Sequence, residues 1–319
     1  MKVLSRLTIL AASAAAAIAG VAAAPAHAQP EPGKYHKYVA VGDSFASVGS
    51  ITQFDVLDRP LCARSNDNYP RQLAARLGLS GPEQFRDESC GFARTKDYWR
   101  PQHVPLPFTN PSTQAEAITP DTDLVTVTLG GNPSTEDALA ACLPAVLGFN
   151  GQPNPLSSTS SYPAGLRDSI EAMQQSSARR GITCGNGTAS VAHTNRDYHD
   201  EYLAIVRDIQ RRAPQAQVRV VGYFDVVGDP ERTCPDLGGA TLEDRLWIKN
   251  YINGLNDVGR QVAAETGTIF VEPPANPQGM CADPDVREAS FLGVPDNGIP
   301  FHPNGKGQAR VAEEIFKTL

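Results

Sequence analysis

Two patterns of apolar positions alternate along this chain. In one, short unbroken apolar runs end at glycine or a charged residue. In the other, apolar residues recur every three or four positions with polar residues between them. Lys37–Gly42 (KYVAVG), Asp123–Gly131 (DLVTVTLGG), Ala216–Phe224 (AQVRVVGYF) and Thr268–Glu272 (TIFVE) are of the first kind and predict buried strands. Asn68–Leu79 is of the second. Leu73, Ala74 and Leu77 share a face, Pro70 suits a first turn and Gly78 suits a stop.

The same periodicity predicts helices over 135–148, with Thr135 or Ser134 as cap, and over 196–214, with Tyr202, Ile205, Val206 and Ile209 along one stripe. It predicts two more over 241–267, capped by Thr241 and stopped by Gly267, and over 304–319. Between Phe149 and Asn195 the chain is rich in Ser, Pro, Gly and Asn and reads as a long irregular excursion. Strands that alternate with helices predict an α/β fold, a mostly parallel sheet covered on both faces.

The first residues stand apart from this alternation. Lys2 and Arg6 precede an Ala-rich apolar stretch, and Ala26-His27-Ala28 is a small-x-small cleavage site. Residues 1–28 are therefore expected to be a secretory signal peptide cut before Gln29, with 29–319 as a single domain. Removing two basic residues and no acid moves the net charge from −7 to −9. That balance argues against nucleic acid or an anionic membrane as a general partner.

Cys62, Cys90, Cys142, Cys184, Cys234 and Cys281 remain after cleavage. An even count in an exported chain points to disulfides, with sequential pairing the simplest arrangement. The spacings match no zinc site.

An open parallel sheet offers its site outside the carboxyl ends of its strands. Two predicted strands deliver polar residues there: Gly42-Asp43-Ser44 and Gly130-Gly131-Asn132. A nucleophilic serine needs a base within hydrogen-bond reach and donors for the oxyanion. Among the histidines, His27 leaves with the signal. His36, His103, His193 and His199 lie before a strand, in a Pro-rich loop, at a loop–helix junction and in a charged helix. His302 stands in a Gly/Pro-rich loop just before the last helix. Tyr98 and Trp99 suit either a pocket wall or a loop anchor, and Arg94 a surface ion pair.

AVGDSFAS after the first strand, TVTLGGN at a later strand end and FHPNGKGQ before the last helix resemble blocks I, III and V of the SGNH/GDSL hydrolases, with SCGFA where block II is expected. RSNDNYPRQLAARLGL, DESCGFARTKDY and the cysteine layout resemble secreted actinobacterial members, whose disulfides join sequential cysteines. For this chain that implies Cys62–Cys90, Cys142–Cys184 and Cys234–Cys281. The resemblance implies a three-layer α/β/α, flavodoxin-like fold. It implies Ser44 as nucleophile and His302 as base, with the Ser44 N–H, a backbone N–H at Gly91 or Phe92 and the Asn132 amide as oxyanion donors. Asp43 is expected to orient the turn.

Three positions depart from the family pattern. Pro133 follows Asn132 where Asp is usual. Phe92 occupies the block II glycine position, with Gly91 one place earlier. Ile299 stands where an Asp usually precedes the histidine. The third member of the machinery is left open between Asp296 and a main-chain carbonyl of Ile299 or Pro300. The implied activity is that of a secreted serine esterase or lipase acting on a lipid or acylated glycan, without metal, organic cofactor or stable partner. A glycan or glycolipid acyltransferase or deacylase, or a non-catalytic envelope protein on the same fold, are the alternatives.

Overall fold

The computed structural model describes residues 33–59, 62–103, 109–110, 112–132, 188–234, 242–290 and 296–319. The expected signal peptide, the predicted helix over 135–148, Pro133 and the Cys142–Cys184 pair lie outside the described residues.

Among the described residues, five parallel strands form the central sheet: β1 (Tyr38–Gly42), β2 (Phe85–Asp87), β3 (Leu124–Thr128), β4 (Gln217–Val221) and β5 (Ile269–Val271). Their order is β2-β1-β3-β4-β5. Every residue of β1 and β3 is buried, which explains why both read as continuous apolar runs rather than as alternation. β2 escapes the sequence pattern because it is a three-residue edge strand with one exposed and one half-buried position.

Among the described residues, five α-helices flank the sheet: α1 (Ser44–Ser47), α2 (Tyr69–Arg76), α3 (Thr188–Arg212), α4 (Leu242–Thr266) and α5 (Gly305–Phe316). α3 packs on α4, and α2 on α5, and the two pairs take opposite faces to make three layers. Tyr202, Ile205, Val206 and Ile209 are buried as the stripe on α3 requires. That helix begins eight residues before Arg196, so Thr188–Asn195 is helical where an irregular excursion was expected. Its backbone ladder needs no apolar stripe, so a polar stretch can continue a helix unseen in the sequence.

Among the described residues two disulfides join loops to this frame, Cys62–Cys90 and Cys234–Cys281, both sequential pairs. Among the described residues no helix is long and apolar enough to cross a membrane.

Candidate active site

β1 runs between β2 and β3, so the connections after β1 and β3 leave the sheet in opposite senses and open a crevice at their carboxyl ends. β1 delivers Asp43-Ser44 there and β3 delivers Gly130-Gly131-Asn132. Gly42 and Thr128 are level in the register, and the Asp43 N–H donates to the Thr128 carbonyl at 2.8 Å. A side chain at Gly42 would meet Thr128 O at 2.8 Å and Ala46 Cβ at 2.6 Å, so only glycine fits where α1 turns off the strand.

Asp43 caps α1 by accepting from the Phe45 N–H at 2.9 Å. Its other oxygen accepts from the Tyr223 hydroxyl at 2.6 Å and the Gly131 N–H at 3.3 Å. Asp43 thus laces the turn after β1 to the turn after β3 and to β4. Burial pushes its carboxyl up to about 6, against the donors on Tyr223, Phe45 and Gly131. Gly130 sits at φ +124°, and a Cβ there would lie 1.9 Å from the Tyr198 ring.

Ser44 Oγ lies 2.8 Å from His302 Nε2, across 258 residues of sequence. His302 Nδ1 lies 2.7 Å from the carbonyl oxygen of Pro300. A carbonyl only accepts, so Nδ1 carries the proton and Nε2 presents a lone pair to the Ser44 hydroxyl. The Ile299 carbonyl is occupied instead by the backbone N–H of His302 itself, at 3.1 Å. Phe45 packs on the imidazole at 4.8 Å between ring centroids. Burial pushes the His302 imidazole down to about 4, opposed by its hydrogen bond to Pro300.

Asp296 is not at the histidine ring. Its carboxylate accepts from Arg287 Nη1 at 2.8 Å and from Ser290 Oγ at 3.3 Å, and both charged side chains are buried. Arg287 also donates to the Ala282 carbonyl through Nε and Nη2. This pair holds the loop that carries His302, whose backbone pairs with Ser290.

The block II segment lies alongside β1, with the Cys90 N–H on the Gly42 carbonyl at 3.0 Å. The Gly91 N–H is given to the Cys62 carbonyl at 2.9 Å and so does not face the site. The N–H groups of Phe92 and Ser44 have no partner among the described residues. Asn132 Nδ2 donates to the Ala93 carbonyl at 2.8 Å, which sets its amide beside Phe92.

Other sequence candidates serve elsewhere. Tyr98 is buried and donates to Asp208 at 2.9 Å, so it anchors its loop, while Trp99 stands on it edge-on and remains partly exposed. Arg211 and Arg212 close on the same Asp208. His36 lies against Asp123, and His199 between Asp200 and Glu265.

Two glutamines that the sequence did not single out hold the site together. Gln114 accepts from the Gly42 N–H at 2.8 Å and donates to the Gly42 carbonyl at 2.9 Å. Gln308, fully buried on α5, accepts from the Tyr69 N–H and donates to the Phe45 and Val48 carbonyls. It fastens the helix that follows His302 to the turn that carries Ser44.

The model of the GDSL-like lipase/acylhydrolase family matches residues 40–310, which include every element of this site. The chain belongs to that family. This GDSL-family chain is 28% identical to Lipase 2 of Streptomyces coelicolor over 93% of its own length and 89% of the relative's, and 28% identical to an esterase of Streptomyces scabiei over 95% and 90%. Among solved structures, the extracellular lipase of Streptomyces rimosus aligns with a TM-score of 0.56 at 23% identity, covering 86% of this chain and 95% of that one. The phospholipase A1 of Streptomyces albidoflavus aligns at 0.54 and 20%, with the same coverages. Both share the fold. With its family, the chain is a carboxylic ester hydrolase.

Proposed function

We propose that this GDSL-family hydrolase is a secreted esterase or lipase that cleaves its ester through an acyl-enzyme on Ser44, with His302 as base and no carboxylate behind it. The observation that carries the reading is the 2.8 Å contact between Ser44 Oγ and an imidazole whose tautomer Pro300 sets. Ser44 Oγ attacks the ester carbonyl carbon while its proton passes to His302 Nε2. The carbonyl oxygen, now negative, takes hydrogen bonds from the Ser44 N–H, the Phe92 N–H and Asn132 Nδ2. Such donors gain strength as charge develops, and losing one typically costs about a hundredfold or more in rate.

Collapse of the intermediate breaks the bond to the alcohol oxygen, which leaves with the proton from Nε2. Water then attacks the acyl group, giving its proton to the same nitrogen, and Ser44 departs protonated as the carboxylic acid is released. Pro300 fixes the imidazole's orientation, the role a third member plays in a triad.

The positively started Ala-rich leader and its cleavage site support export, and the two disulfides suit an oxidising compartment. A single domain over 29–319 accords with a site assembled from both ends of the described chain. The substrate class that fits is a carboxylic ester of a lipid or an acylated glycan.

A fluorophosphonate probe tests the nucleophile. Labelling of the oxidised protein that is lost in Ser44→Ala and His302→Ala, together with release of free acid from a p-nitrophenyl ester, is the expected result. Folded protein that neither labels nor releases acid would remove the reading.

A further inference from the structure

Phe92 lies in a turn that asks for glycine. The Ala93 N–H donates to the Cys90 carbonyl at 3.1 Å, closing a four-residue turn in which Phe92 is the third residue, at φ +62°. Glycine is the residue that occupies that place without steric cost. Here glycine stands one position early, at Gly91, and a bulky side chain takes the left-handed conformation.

The backbone has no freedom to relieve this. Gly91 is held on both sides, its N–H by the Cys62 carbonyl and its carbonyl by Gln102 Nε2 at 2.7 Å. Cys90 is bridged to Cys62, and the Ala93 carbonyl is held by Asn132. The surroundings impose the positive φ, and the phenyl ring adds to the strain without adding to the core. The residue is 56% exposed, so folding gains little from its ring. A strained residue that adds little to stability, set among groups proposed to act on substrate, points to a contact with that substrate.

The geometry of the turn says which part of the substrate. The Phe92 N–H and the Phe92 side chain leave the same Cα, so the ring flanks whatever carbonyl that N–H holds. In the tetrahedral intermediate the negative oxygen lies toward this N–H and Asn132, and the alcohol oxygen lies toward His302 Nε2, which must protonate it. The acyl chain is the substituent left to run along the block II turn. We propose that Phe92 is a specificity-determining residue whose ring forms an apolar wall for the acyl chain, favouring esters of medium and long fatty acids over acetyl esters. The inference rests on the assignment of the oxyanion donors above.

The test compares kcat/KM of wild type, Phe92→Gly and Phe92→Ala on three esters: p-nitrophenyl acetate, p-nitrophenyl decanoate and decyl acetate. In both variants the ratio of kcat/KM on the decanoate to that on p-nitrophenyl acetate should fall about tenfold or more, since apolar pocket contacts discriminate on that scale, while the ratio between the two acetates holds. Phe92→Gly should also melt at or above the wild-type temperature, because glycine suits φ +62°. Parallel loss on all three esters would make Phe92 a positioning residue only. Loss on decyl acetate alone would put the ring against the alcohol, and no loss anywhere would leave the ring without a role; each overturns the proposal. Ser44→Ala is run alongside. If it still cleaves these esters, the nucleophile assignment fails, while the chain-length comparison still reads the role of Phe92.

Discussion

His302 Nδ1 meets the carbonyl of Pro300, two residues earlier in the same loop, at 2.7 Å. A main-chain carbonyl sets the tautomer as a carboxylate would, but brings no charge to stabilise an imidazolium. With the ring buried and no anion at its back, the neutral, proton-accepting form is favoured far into the acid range. The arrangement around His302, the Gln308 fastening and the disulfide frame each have consequences open to measurement.

Asp296 is bonded to Arg287 and Ser290 and not to the histidine ring, so in the proposed mechanism it holds the loop. Its pair with Arg287 is buried on both sides, and removing one partner leaves an uncompensated charge, at a cost of about 3 kcal/mol. Asp296→Asn is expected to lower the urea midpoint while the folded enzyme, counted with the fluorophosphonate probe, keeps a kcat close to wild type. A large fall in kcat at an unchanged midpoint would make Asp296 part of the machinery.

The acid limb of kcat/KM should fall near pH 4 and not near 6.5, because the His302 imidazole is held down to about 4. Stability follows the same group. Between pH 6.5 and 4 the unfolded chain protonates this imidazole and the folded one does not, so its contribution is lost as pH falls through that window. Asp43 works the other way. Its carboxyl, raised from 3.8 to about 6, stays protonated in the fold where the unfolded chain has released the proton, so its contribution declines as pH rises from 3.8 to 6. The two slopes oppose each other and mask one another in wild type. The difference in unfolding free energy between wild type and His302→Ala should therefore grow as pH rises from 4 to 6.5. A difference that stays flat over this range would mean that the ring titrates at its ordinary value.

Gln308 satisfies two buried backbone groups and one partly buried group at once. Gln308→Leu leaves the Tyr69 N–H and the Phe45 and Val48 carbonyls without partners, and should cost about 3 kcal/mol in urea unfolding. kcat should drop as well, since the loop of His302 and the turn of Ser44 lose their shared fastening. A loss below about 1 kcal/mol would mean that water replaces the amide.

The disulfides should be unequal in their effect on activity. Mapping without reduction is expected to return Cys62–Cys90, Cys142–Cys184 and Cys234–Cys281, and any crossed pair counts against that layout. Replacing Cys62 and Cys90 with serine opens a bridge between residues 28 apart, worth about 3 kcal/mol. It also loosens the turn that presents the Phe92 N–H. That variant should lose more kcat than the Cys234/Cys281 double variant measured under the same conditions.

The amino-acid sequence by itself determined the alternation of buried strands and amphipathic helices, because burial on both faces writes β1 and β3 as apolar runs and burial on one face writes α2 and α3 as stripes. It also brought forward Ser44, Asn132 and His302, through the order of three motifs that resemble the SGNH/GDSL blocks and not through the chemistry of any one of them. Short or polar elements stayed hidden: β2, with its exposed edge, and the first turns of α3 carry no periodic apolar signal.

The assistance around Ser44 was decided only in three dimensions. Asp296 and Pro300 were both in range of His302 along the chain. A carboxylate stands out in a sequence, whereas a main-chain carbonyl occurs at every residue. Arg287 claims the carboxylate, and the bend of the loop turns the Pro300 carbonyl to the ring. Gly91 and Phe92 were likewise equivalent as donors until the Cys62 carbonyl took one N–H and left the other. Gln114 and Gln308 were plain polar residues until folding gave them backbone partners far away in sequence. Which polar group meets which depends on contacts between distant segments, and those exist only once the sheet has brought the segments together.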